Sequence, residues 1–276
     1  MKSARIAVVK VGGKEVAPGP VVERFARWVA AEGRQGRRLV IVHGGGEEIS
    51  ERAAALGLPT EKHLGQRVTS APMLEVVLEV LAGRINARLV TELDVAGRPS
   101  VGLTGLSGRL LGASLAGDPP GALGYVGRPV EVRTLLLTTL LDRGFTPVVA
   151  PIGLDPTGRP LNVNADLAAG AIAKALGADL WLVTDVPGVR DAAGAIAHRV
   201  SIFEARRMVA RGVARGGMIP KLEAAEGALT PDNSVWIGDL DGLLAASPDR
   251  GSTIVAGRPG PVPMPAPRAT GRRRRS

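Results

Sequence analysis

The run Arg38-Leu39-Val40-Ile41-Val42 is apolar and rich in β-branched residues, and it ends at His43-Gly44-Gly45-Gly46. Behind the glycines, Glu48-Ile49-Ser50-Glu51-Arg52-Ala53-Ala54-Ala55-Leu56 has helical character. A buried strand, a turn with no Cβ at three positions and a helix together make half of a parallel strand–helix unit. Glycine lets the backbone approach a ligand closely and turn its N–H groups toward it. The helix N-terminus adds partial positive charge at the same spot, so the turn suits an anion, above all a phosphoryl group.

The same alternation runs along the chain and predicts a parallel α/β sheet covered on both faces. Residues 6–10 read as a first strand, followed by Gly12-Gly13 and a helix around Val21–Glu32. Pro72–Leu93 carries apolar residues at helical spacing. Gly108–Val132, rich in glycine and proline, reads as a hairpin or lid. Leu135–Arg143 reads as a helix, 146–150 as a strand, Asp166–Leu176 as an alanine-rich helix and 179–185 as a strand. Ile202–Ala210 and Lys221–Leu229 read as helices, and 234–238 and 251–255 as closing strands. The expected organisation is one domain over residues 1–257, with an N-terminal lobe to about 155, a C-terminal lobe from about 156, and the lobe boundary near Pro151–Asn162. A Pro/Arg-rich tail, 258–276, is expected to be disordered.

Composition narrows the partners. The net charge of +9 falls to +3 for residues 1–257 once the six arginines of the acid-free tail are removed, so the folded part carries no nucleic-acid signature. Aromatics are 3% of the chain, too few for base-stacking platforms. No apolar run approaches the roughly 18 residues of a membrane helix, and the absence of cysteine fits a reducing cytosol; a cytoplasmic location is expected.

Four features converge on chemistry: Lys10-Val11-Gly12-Gly13, His43-Gly44-Gly45-Gly46, Asn162-Val163-Asn164-Ala165-Asp166, and Gly216-Gly217-Met218-Ile219-Pro220-Lys221. Ligands of open α/β sheets collect at the carboxyl ends of strands, where Lys10, the glycine turn and Asp166 fall. Two cations, two sets of backbone donors and one carboxylate suit phosphoryl transfer, which is mostly positioning and charge stabilisation. There is no Gly-x-x-x-x-Gly-Lys-Ser/Thr, no His-Arg-Asp and no Asp-Phe-Gly, which excludes P-loop enzymes and protein kinases. No general base stands among the four features. A carboxylate acceptor needs none, being ionised at neutral pH, so an acyl phosphate product is indicated. Taken alone, Asp166 also reads as a helix N-cap, His43 as structural, and His63 and His198 as surface residues.

These motifs, with Gly65-Gln66-Arg67-Val68-Thr69, Thr184-Asp185-Val186-Pro187-Gly188-Val189 and Gly217–Leu222, resemble the amino acid kinase family, in the same order and at similar spacing from about Val8 to Val255. The pattern is most similar to the branch that phosphorylates N-acetylglutamate for arginine synthesis. The resemblance implies an open three-layer αβα sandwich with a mainly parallel central sheet, MgATP as phosphoryl donor with Mg2+ held mainly by the nucleotide, and a homodimer. It implies that Lys10 and Lys221 neutralise the transferring group and that Asp166 holds both lysines. Gly13, Gly44, Gly45 and Gly46 would offer N–H groups to the phosphoryl oxygens and the acceptor. Arg67 would pair with the acceptor's α-carboxylate, and Asn162 would bind the acetamido or carboxylate end. Thr184, Asp185, Val186, Pro187, Gly188 and Val189, with Val213, Ala214 and Arg215, would line the adenine and ribose pocket. No separate protein-held metal site is implied. Two positions depart from the pattern. Leu167 stands where a glutamine is common. Gly105-Leu106-Ser107-Gly108 lacks a lysine and an acid often found there in the family, and its leucine resembles kinases of carrier-linked α-aminoadipate, which leaves that acceptor open. With a strand starting about five residues from Met1, no N-terminal hexamer-building helix is expected, and neither is inhibition by arginine.

Overall fold

The computed structural model describes residues 5–63, 66–245 and 250–257; the tail and Gly65 lie outside the described residues. In chain order the elements are β1 (Ile6–Val11), α1 (Pro20–Arg34), β2 (Arg38–His43), α2 (Gly46–Ala55), β3 (Lys62–His63), β4 (Gln66–Arg67) and α3 (Ala71–Val77). A π-helical stretch, Leu78–Ile85, joins α3 to α4 (Asn86–Val95). Then come β5 (Ser100–Thr104), β6 (Leu111–Leu115), β7 (Val126–Val132), α5 (Leu135–Asp142), β8 (Thr146–Ala150), β9 (Ile152–Leu154), β10 (Pro160–Val163) and α6 (Ala165–Leu176). The chain continues through β11 (Asp179–Val183), β12 (Arg199–Ser201), α7 (Ile202–Ala210), α8 (Met218–Ala228), β13 (Val235–Gly238), α9 (Leu240–Ala245) and β14 (Ser252–Val255).

Eight strands form one sheet in the order β12-β14-β13-β11-β1-β2-β8-β5, parallel throughout except between β13 and β14. The continuous apolar runs of β1 and β2 follow from burial on both faces. Ala7, Val9, Val11, Leu39 and Ile41 pack with α1, α2, α9 and the long rod from α3 to α4. Val8, Val40 and Val42 pack with α5, α6, α7 and α8. The period of two along a strand makes this division. It also fixes the two polar residues at the strand ends: Lys10 shares parity with Val8 and faces α6, whereas His43 shares parity with Ile41 and faces α4.

The glycine-rich hairpin is present as β6 and β7, which pair antiparallel. With β9 and β10 they form a four-stranded sheet that closes on itself. The stretch Pro151–Asn162 contains the antiparallel pair β9–β10, so the expected lobe junction is built of paired strands. The long helical pattern at 72–93 extends to 71–95 and includes a π-helical interior that its apolar spacing does not announce.

Candidate active site

Helix α6 begins where β10 ends, and its cap differs from the sequence expectation. Asn164, not Asp166, is the N-cap: its side chain accepts from the N–H groups of Asp166 and Leu167 at 2.9 and 3.2 Å. That leaves the Asp166 carboxylate free of capping duty. One oxygen lies 3.0 Å from Lys10 Nζ and the other 3.0 Å from Lys221 Nζ. All three side chains are buried. Burial pushes the Asp166 carboxyl up, but the two ammonium groups outweigh it and hold the acid below the usual carboxylate range. For Lys221, burial together with the neighbouring Lys10 charge outweighs Asp166, and its ammonium is pulled below the usual lysine range.

Lys221 reaches Asp166 because α6 and α8 touch backbone to backbone. A Cβ on Gly170 would stand 2.8 Å from the carbonyl oxygen of Ala224, so glycine permits this approach. Gly170 lies one turn beyond Asp166, and Ala224 nearly one turn beyond Lys221. The close crossing therefore sets the spacing of the charged cluster.

The two glycine turns meet beside that cluster. A Cβ on Gly12 would sit 3.3 Å from Lys10 Nζ, and one on Gly44 would sit 3.8 Å from Gly12 Cα. Gly13 has φ +61, where glycine is favoured. The expectation that all of Gly44, Gly45 and Gly46 offer N–H groups needs a correction. Gly44 donates its N–H to the carbonyl of Val11 at 2.8 Å, tying the turn to β1. Among the described residues the N–H groups of Gly45 and Gly46, at the start of α2, find no partner. They are the free donors at a helix N-terminus.

A cavity of about 190 Å³ opens on Lys10, Gly44, Gly45, Gly46, Arg67, Asn162 and Asp166 together. The β3–β4 hairpin delivers Arg67. One guanidinium nitrogen, Nη2, donates to Gly46 O and Ser50 Oγ, both at 2.7 Å, while Nη1 is buried with no hydrogen-bond partner among the described residues. Among the described residues no carboxylate pairs with it, and burial lowers the affinity of the guanidinium for its proton. Asn162 donates to Thr69 Oγ1 at 3.0 Å, and that hydroxyl donates to Arg67 O, so Asn162 and Arg67 are braced together.

Thr184–Val189 follows the carboxyl end of β11, next to β1. Thr184 donates its N–H to Gly238 O at 2.9 Å and its hydroxyl to Asp185, and Val189 donates its N–H to Ser252 Oγ at 2.8 Å. Val213 and Ala214 close the end of α7 onto Met208 O, and the exposed Arg215 folds back onto the Gly212 carbonyl. These residues touch none of the Lys10, Asp166 and Lys221 side chains by hydrogen bond. Sequence reading passed over Glu15, which is buried beneath Gly13. Burial raises its carboxyl, and Lys10 only partly offsets that. Its place two residues after Gly13 was the available signal.

Gly105–Gly108 is a packed turn. Ser107 Oγ accepts from Thr104 N–H at 3.1 Å, and a Cβ on Gly105 would lie 2.1 Å from Ile152 O. The serine shapes the end of β5. His63 is exposed, and His198, also exposed, contacts the Gly251 carbonyl at 3.2 Å. The described residues include no helix long and apolar enough to cross a membrane.

Comparison with known proteins agrees with this geometry. The model of the amino acid kinase family matches residues 5–238. An acetylglutamate kinase of Geobacillus kaustophilus is 43% identical over 231 residues, 82% of this chain and 86% of that one. One from Roseiflexus sp. (strain RS-1) is 42% identical over 254 residues, 91% and 94% of the two chains. A crystal structure from Streptococcus mutans UA159 superposes with a TM-score of 0.81 at 29% identity, covering 91% of this chain and 99% of that one. The motifs, the fold and these relatives agree: this chain belongs to the amino acid kinase family.

Proposed function

We propose that this protein transfers the γ-phosphoryl group of ATP to the γ-carboxylate of N-acetyl-L-glutamate, yielding N-acetyl-L-glutamyl 5-phosphate and ADP in arginine biosynthesis. The observation that carries the reading is the pair of lysines on the two oxygens of one buried aspartate, placed beside glycine N–H groups that have no partner among the described residues. The names of relatives at 42–43% identity supply the acceptor. They do not favour the carrier-linked aminoadipate alternative left open by Gly105–Gly108.

In the transfer, a carboxylate oxygen of the acceptor forms a bond to phosphorus as the bond to the ADP oxygen breaks. The acceptor is already ionised, so no side chain has to take a proton from it. Lys10 and Lys221 balance charge on the phosphoryl oxygens and the departing nucleotide, and the N–H groups of Gly45 and Gly46 hold the oxygens in line. Gly13 stands at the same edge. Arg67 Nη1 receives the α-carboxylate, and Asn162 orients the acetamido end. Thr184–Val189 and Val213–Arg215 serve the adenine and ribose. Asp166 has both oxygens engaged by ammonium groups. Magnesium would arrive held mainly by the nucleotide phosphates, where it would neutralise their charge. The N-terminal lobe is the acceptor side and the C-terminal lobe the nucleotide side of a cytoplasmic homodimer.

The test is an acyl-phosphate trap: hydroxylamine added to enzyme, MgATP and N-acetylglutamate. Hydroxamate should form with the wild type and at a rate about 10²- to 10³-fold lower with Lys221→Ala. A folded protein that binds ATP yet yields no hydroxamate with this acceptor would sink the reading.

A further inference from the structure

The site holds a polar pair that the reaction as written does not use. His43, at the end of β2, is fully buried. Its Nε2 lies 3.1 Å from Asn86 Nδ2, and its Nδ1 lies 3.2 Å from the Gly44 carbonyl oxygen. The Asn86 amide also faces the carbonyls of Val148 at 3.0 Å and Leu103 at 3.3 Å. An amide turned the other way would set its oxygen against two carbonyl oxygens, so the NH2 group is fixed toward His43. The two hydrogens of that NH2 are shared among three acceptors, and Nε2, facing the amide nitrogen, takes the acceptor role; Nδ1 faces a carbonyl oxygen, so the ring proton sits there and is donated to Gly44 O. Burial, only partly offset by the Gly44 bond and by Glu48, pushes the imidazole down to about 4, so the ring is neutral at physiological pH.

This matters because Gly44 is held at both ends: its N–H by Val11 O and its carbonyl by His43. In a trans peptide the carbonyl and the next N–H point in opposite directions. Fixing Gly44 O therefore aims the Gly45 N–H, which has no partner among the described residues, away from α4 and toward the cavity. The helical rod packs against the same turn. A Cβ on Gly45 would lie 2.2 Å from Ile85 Cδ1 and 2.8 Å from Leu81 Cδ2, both in the π-helical stretch that ends just before Asn86. Widened π turns recur at functional sites, and this one seats Ile85 and Asn86 on the glycine turn together.

We propose that His43, locked by Asn86 as the neutral Nδ1–H tautomer, is a positioning residue that aims the Gly45 N–H at the transferring phosphoryl group. The proposal rests on the phosphoryl-transfer reading above, and its test separates the two. Nitrogen-15 NMR of the wild-type imidazole requires no turnover and should show a neutral ring with the proton on Nδ1. An Nε2–H ring, or a charged one at pH 7, overturns the proposal even if hydroxamate forms.

The kinetic arm compares two substitutions under the hydroxamate assay. His43→Asn shortens the side chain and leaves a gap, yet puts an amide donor where Nδ1 stood. His43→Phe fills the volume and donates nothing. A purely structural His43 predicts that Asn is at least as harmful as Phe. A positioning role predicts the reverse for turnover: kcat down roughly 10- to 100-fold in His43→Phe with both KM values unchanged, as expected when a transition-state donor is misaimed. His43→Asn should keep kcat within about threefold of wild type, because the aiming bond is restored. Equal loss of kcat in the two variants, or a loss confined to KM, overturns it. If His43→Phe does not fold, the NMR result decides.

Discussion

Lys221 and Arg67 are equally buried, each with 8% of its surface exposed, and the fold treats them in opposite ways. Lys221, with Lys10, is bound to Asp166. Among the described residues, Arg67 has only neutral oxygens as partners and an Nη1 with none. A buried charge without a counter-ion is costly unless a ligand supplies one. The lysines are thus placed and compensated in the free protein, whereas Arg67 is left without a counter-ion among the described residues, which on the proposed reading suits an incoming carboxylate. Arginine suits that second post because its guanidinium keeps its charge under desolvation and offers a planar fork. On the proposed reading, the first arrangement would serve charge that develops during transfer, and the second would recognise charge already present in the ground state.

The sharpest way to break the contrast is to remove the shared counter-ion. Asp166→Asn leaves two buried ammonium groups facing each other, and breaking a buried pair costs about 3–5 kcal/mol of stability. Turnover should fall by about 10³-fold or more, since both lysines lose their placement. Thermal melts and single-turnover hydroxamate assays measure both effects, and near-normal kcat would show that the lysines are held by something else. The acid limb of stability gives the sign. The folded-state carboxyl lies below its ordinary value, so its contribution is complete above about pH 4 and is lost as pH falls through the folded-state value. In Asp166→Asn that part of the acid destabilisation should disappear.

The contrast next predicts which kinetic constant moves. Lys221→Ala removes charge that matters in the transition state and should lower kcat by about 10²- to 10³-fold with little change in acceptor KM. Arg67→Ala removes ground-state recognition and should raise acceptor KM by about 10- to 100-fold, the worth of one charged hydrogen-bond pair, while kcat holds. Steady-state titration of N-acetylglutamate against both variants distinguishes the patterns. An Arg67→Ala enzyme with unchanged KM would place the acceptor elsewhere.

How far the sequence reached depends on the range of the interaction. Strand formation is local, so β1 and β2 were visible as apolar runs, and the helix after Asn164 was visible in its alanines. The cap was misjudged because Asn164-Ala165-Asp166 offers two capping side chains within one turn. The choice was made by Lys10 and Lys221, 156 and 55 positions away in the chain. The π-helical turns at 78–85 carry ordinary apolar spacing, so nothing in the residue pattern marks the wider backbone turn that packs against Gly45. The same limit hid His43. Its role depends on Asn86 across the gap between sheet and helix, and a lone histidine before three glycines does not reveal that partner. Strands β9 and β10 were missed because proline and glycine around them read as a boundary, while the partners they have besides each other, β6 and β7, lie in a separate hairpin.

The smallest effect tests the electrostatic half of the contrast. Burial and the Lys10 charge together outweigh Asp166 and pull the Lys221 ammonium below the ordinary lysine value. If the charged form is the working form, kcat should decline on the alkaline side with an apparent pKa below about 10.4, the value for a free lysine. Lys221→Arg separates this limb from other titrations. A guanidinium keeps its proton throughout the usable range, so the variant, though slower for its altered geometry, should lose the alkaline decline. Arg67 provides the control: it has no ammonium to lose, so Arg67→Lys should change KM and leave the limb of kcat where it was. An alkaline decline that persists unchanged in Lys221→Arg would assign it to another group, and the compensated lysine would then be a fixed charge across the working pH range.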